Sequence, residues 1–160
     1  MKSSAVRIAE NILFVLNVFI VFLLLFGNRV VVPAWLQPVG RMHPMLLHFP
    51  IVILLLALIL EFFSFRAKYT TEKFYQLFAD SLLLIGTLTA AITAIMGILL
   101  SMEEGYQGSV IQWHKVGGVS IVFVCSFIYY LRDASWFRSW VVKISSIVAV
   151  VCLVTAAHLG

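Results

Sequence analysis

Four histidines, His43, His48, His114 and His158, interrupt a chain that is otherwise dominated by apolar side chains. Imidazole is the commonest metal ligand and the side chain whose charge changes nearest neutral pH. Inside a bilayer an ionisable group is costly, so its presence marks function. Histidines drawn from several helices are the geometry that grips a haem iron or another metal. The strongest local pattern runs from Arg41 to Ile51, with His43-Pro44 and then His48-Phe49-Pro50. Pro44 suits the first turn of a helix, where its missing N–H costs nothing. Pro50 either restarts the helix or kinks it and frees a carbonyl. His43 and His48 are five residues apart, about 140° around a helix, so a regular helix cannot aim both at one iron. Either they serve different sites, or His43 sits in the preceding loop and hydrogen-bonds elsewhere.

A b-type haem takes one or two axial imidazoles, each with its other nitrogen hydrogen-bonded. We expect His48 to be one axial ligand, with His114 or His158 opposite, and a second haem on His43 as a lesser alternative. Arg41 and Lys115 lie at the same level and suit the haem propionates. Gly118, four residues after His114, leaves a gap beneath that imidazole for a porphyrin edge. Two other chemistries fit the same residues: a zinc or copper site, or a pH sensor. Glu103 and Glu104 read as a solvated loop pair. Glu61 reads as an interfacial charge near Arg66 and Lys68. There is no nucleophile–base pair, phosphate loop or protected carboxylate pair, so hydrolysis and group transfer find no support, and a redox subunit is the enzymatic role that remains.

The elements that position these residues are membrane helices. Of 160 residues, 62% are hydrophobic and 11% charged, against about 25% charged in a soluble domain, and the mean hydropathy is +1.07. Five spans are expected, near Asn11–Gly27, Pro44–Phe65, Asp80–Ser101, Ile111–Leu131 and Ser139–His158. Each is close to the roughly 20 residues that cross the hydrocarbon, and helices alone satisfy their backbone there when no strand alternation is present. The fold class is therefore all-α integral membrane, with residues 1–34 forming an N-terminal helix and outer loop and residues 35–160 a four-helix domain. No small-residue cleavage site follows the first apolar run, so it reads as a retained helix and not a leader. Cys125 and Cys152 lie inside apolar runs and belong to no C-x-x-C-H element, which leaves them as packing residues. Gly86, Ala90 and Ala94, with Thr93 and Gly97, form small-residue rows at spacing four, which lets helices approach or leaves room for a flat cofactor.

Charge sets the expected orientation. Lys2, Arg7, Arg66, Lys68, Lys73, Arg132, Arg138 and Lys143 fall on one side, against Arg29, Arg41 and Lys115 on the other. The positive-inside rule then puts the N-terminus in the cytoplasm and the C-terminus in the periplasm. All four histidines come to the outer leaflet. The formal charge of +4 is spent on topology, and nucleic acid is not an expected partner. The Trp and Tyr residues fall near span ends, as interfacial anchors do.

His43-Pro44, His48-Phe49-Pro50-Ile51, Trp113-His114-Lys115 with Gly117-Gly118, and His158-Leu159-Gly160 together resemble a bacterial multi-helix membrane domain of unknown function. That domain often precedes planctomycete-type cytochrome c modules, including in proteins of the Bacteroidetes. The resemblance covers roughly residues 35–160. In that family the last element continues into a further glycine and another histidine, whereas this sequence ends at Gly160, so the resemblance implies a periplasmic module beyond that point. It also implies an inner-membrane electron-transfer setting, with periplasmic c-type cytochrome or other membrane subunits as partners and a quinone as a further candidate. The leading expectation is thus a haem-b-binding electron-transfer subunit. The alternatives are a cofactor-free anchor or assembly subunit and an outward-facing metal-binding membrane protein.

Overall fold

The computed structural model describes residues 3–64, 67–106, 108–131 and 140–159. Lys2, Phe65, Arg66, Arg132, Trp136, Arg138, Ser139 and Gly160, each used in the sequence reading, lie outside the described residues. Eight α-helices follow in order: α1 Ser4–Phe26, α2 Gln37–Arg41, α3 His43–Leu46, α4 His48–Phe63, α5 Ala67–Thr70, α6 Lys73–Leu100, α7 Ser109–Leu131 and α8 Trp140–Leu159. No strand occurs among the described residues. Four stretches, Ser4–Arg29, Lys73–Leu100, Ser109–Leu131 and Trp140–His158, are each long and apolar enough to span a bilayer, and α2–α3 with α4 form a broken span bent by 47°. The protein is an all-α integral membrane protein, and the spans coincide with the stretches expected from hydropathy.

The bend follows from the prolines. Pro44 and Pro50 have no N–H to return to Gly40 and Leu46, so the ladder is cut twice within a few residues. The helix yields at Met42 and Leu47 and starts again at His48. Pro50 then sits in the first turn of α4, where a missing donor is tolerated.

Helices α4, α6, α7 and α8 close a ring in which each packs on the next and α8 returns to α4. Small residues set the spacing. A Cβ built on Gly86 would stand 2.8 Å from Leu54 Cδ2, and one on Gly117 would stand 3.0 Å from the Ala156 Cβ. The core includes Leu54, Leu58, Leu83, Val122, Cys125 and Ala149, all essentially without solvent contact. Large side chains such as Val52, Leu55, Ile59 and Ile147 point outward, as lipid-facing residues must when lipid is as apolar as the core.

Helix α1 packs outside this ring on α6 and α7, and polar contacts fix it there. Asn17 Nδ2 donates to Ser126 Oγ at 3.0 Å and to its own Leu13 carbonyl at 2.9 Å. The Tyr129 hydroxyl donates to Glu10 Oε1 at 2.8 Å, and that of Tyr130 to the Glu10 carbonyl at 2.9 Å. In hydrocarbon such bonds are worth about 0.6 kcal/mol each on average, and several at fixed heights specify register. Glu61, in the last turn of α4, is wholly buried among the helices. It shares the inward face of Leu54 and Leu58, at offsets of seven and three residues.

Because Gly86 has no room for a side chain against Leu54, Gly86→Val should force α4 from α6 and cost about 1–3 kcal/mol, the usual penalty of overpacking. A lowered thermal midpoint in mild detergent checks it; an unchanged midpoint would show that the contact is slack.

Candidate functional site

His43 lies between the two breaks of the second span and faces the bundle interior. From His43 the buried side of that span runs through Leu47, Pro50, Ile51 and Leu54, a helical repeat of four, three, one and three. His48 is out of phase with it and exposed. Across the gap α6 presents Gly97, and the His43 ring rests on it: a Cβ there would meet His43 Cε1 at 2.9 Å. The small residue seen in the sequence makes room for an imidazole.

His43 Nδ1 lies 2.7 Å from the Thr93 carbonyl oxygen, and His114 Nδ1 lies 2.8 Å from that of Ala156. A carbonyl only accepts, so in both rings the proton resides on Nδ1. Ala156 belongs to the C-terminal turns of α8, and its carbonyl accepts from His114. The consequence falls on the other nitrogens. His43 Nε2 and His114 Nε2 face each other at 3.5 Å, with ring planes at 81°. Two neutral imidazoles in these tautomers bring two lone pairs together with no proton between them. Such an arrangement calls for a cation or a donor between the rings.

Cavities flank the pair. One of about 280 Å³ is lined by Pro44, Tyr106 and Lys115 besides both histidines. One of about 70 Å³ lies towards Ile121 and Leu153. Both are bordered by His43, Leu47, Ala94, His114 and Gly118, so the pair stands between them. A Cβ on Gly118 would meet nothing within 4 Å, which is open space beside His114.

The other sequence candidates lie elsewhere. His158 is exposed, off the buried α8 face of Ser146, Ala149, Leu153 and Ala156. Arg41 Nη2 is 2.9 Å from Glu103 Oε2 and its Nε 3.0 Å from the same oxygen. Glu103 is thus an ion-pair partner of Arg41, and Arg41 does not border either cavity. Thr93 and Ala156 were missed as site residues because they act through main-chain oxygens, which no side-chain motif reveals.

The geometry predicts a specific spectrum. In histidine-labelled protein, ¹⁵N resonances of His43 and His114 should show a protonated Nδ1 and an unprotonated Nε2. Gly97→Val should displace only the His43 ring and change its signals while the His114–Ala156 bond persists. Protonated Nε2 atoms in the wild type would contradict the tautomers.

No curated protein and no solved structure matches this chain. A family match covers residues 41–160, from the last residue of α2 to the residue after α8. The chain belongs to the family described as predicted membrane protein (DUF2231).

Proposed function

We propose that this protein is a membrane electron-transfer subunit that binds haem b between His43 and His114. The observation that carries the reading is the pair of Nε2 lone pairs converging at 3.5 Å, each ring fixed through Nδ1 by a backbone carbonyl. Metal-bound histidines characteristically donate their other N–H in this way.

The donor set fits haem. Among the described residues no group of three or more His, Cys, Asp or Glu comes together. A bare zinc or copper ion seeks three or four protein ligands, whereas a macrocycle supplies four nitrogens and asks the protein for two. To hold such a group the two Nε2 atoms would have to move apart from the 3.5 Å observed. The open face at Gly118 and the cavities on both sides of the pair leave space for a flat group. When bound, haem supplies a one-electron couple. His43 and His114 would hold it, and Thr93 and Ala156 would orient them through their main-chain oxygens.

The positive-inside pattern of the sequence supports reading this end of the bundle as the periplasmic one in a bacterial inner membrane. Electrons then pass to or from periplasmic c-type cytochromes, or to a quinone in the bilayer. A second reading, a two-histidine zinc or copper site, is favoured by the separation itself. At about 2.05 Å per bond, 3.5 Å corresponds to a near-tetrahedral ligand angle.

A reduced-minus-oxidised spectrum with pyridine haemochrome and metal analysis on the purified protein decides between them. We expect stoichiometric haem b, lost by more than about tenfold in His43→Ala and His114→Ala and retained in His48→Ala and His158→Ala. Stoichiometric zinc or copper without haem would replace this reading with the second. Loss of haem in His48→Ala alone would reassign the ligands.

A further inference from the structure

A larger cavity of about 550 Å³ lies between the end of α1, the end of α6 and the start of α7, with Asn28, Ser101, Gln112 and Lys115 among its walls. Ile98, Ser101 and Lys115 border both it and the apolar cavity at the histidines, so the two meet there. A space of that size with polar walls holds several waters. Leu23, Leu24, Gly27, Asn28 and Val30 form much of its wall, and all precede the stretch covered by the family match. The N-terminal helix of this chain therefore completes it.

Lys115 stands at the junction. It is partly buried, and among the described residues it has no hydrogen-bond or ion-pair partner. The neighbouring charges do not compensate it. Glu103 is engaged by Arg41, and Arg29, at the end of the short turn after α1, borders neither cavity. A carboxylate arriving at this point would pair with the ammonium in partly buried surroundings, where a charge pair is screened less than in bulk water.

We propose that the polar cavity is an aqueous port onto the histidine site, and that Lys115 there binds a carboxylate of the ligand seated between His43 and His114. This rests on the haem reading, under which the carboxylates are the haem propionates. Asn28, Ser101 and Gln112 offer uncharged polar groups and a place for water around the second carboxylate. The port also fixes orientation. The apolar edge of the ligand faces Ile121 and Leu153, and the carboxylate edge faces water, where a soluble electron partner reaches it.

The test compares binding of haem b and of its dimethyl ester, in which the carboxylates are masked, to the haem-free full chain by absorbance titration. Wild type should prefer the free acid by about tenfold or more, the range of a partly desolvated charge pair. Lys115→Met should lose that preference while binding the ester as the wild type does, which also shows that it is folded, and Lys115→Arg should keep it. A wild type that binds both forms alike, or a Lys115→Met that weakens both equally, overturns the port and leaves the haem reading standing. A wild type that binds neither form overturns the haem reading and the port with it.

Discussion

Two hydrogen bonds to main-chain oxygens govern this structure. The Thr93 carbonyl fixes the proton of His43 on Nδ1, and the Ala156 carbonyl does the same for His114. Because a carbonyl cannot donate, two neutral rings present their lone pairs at the remaining nitrogens, which the fold brings to 3.5 Å. Neutral lone pairs so placed repel unless something electrophilic lies between them. The rest of the bundle serves that juxtaposition. Thr93 comes from α6 and Ala156 from α8, so four helical segments meet at one pair of rings.

Small residues and broken helices allow the approach. Gly97 clears the space that the His43 ring occupies, Gly86 lets α4 close on α6, and Gly117 lets α7 close on α8. The prolines break the second span on both sides of His43, at Met42 and Leu47. Arg41 and Glu103 clamp α2 to the loop after α6 and steady the same corner. At a surface the clamp alone is worth less than about 1 kcal/mol.

The membrane class and the four unbroken spans were legible in hydropathy, because backbone satisfaction in lipid leaves few alternatives. The choice of histidine was not. Every residue of the second span near His48 is apolar on both faces, so no amphipathic contrast separates the core side from the lipid side. One signal was present in Glu61, since a carboxylate inside a span marks the inward face. Counting back from Glu61 by sevens and then four reaches Leu54, Leu47 and His43, and it passes His48 by. The one-turn spacing of His114 and Gly118 was readable, and the open space beside Gly118 agrees with it. The roles of Thr93 and Ala156 were invisible, because any residue type supplies a carbonyl.

The central claim is that His43 and His114 together hold one metal centre. Low-temperature electron paramagnetic resonance of the oxidised, purified protein tests it most directly. The account predicts a low-spin ferric signal characteristic of two imidazole ligands, converted to another species by His43→Ala and by His114→Ala separately. A high-spin ferric signal, or a low-spin signal that survives either substitution, would contradict it.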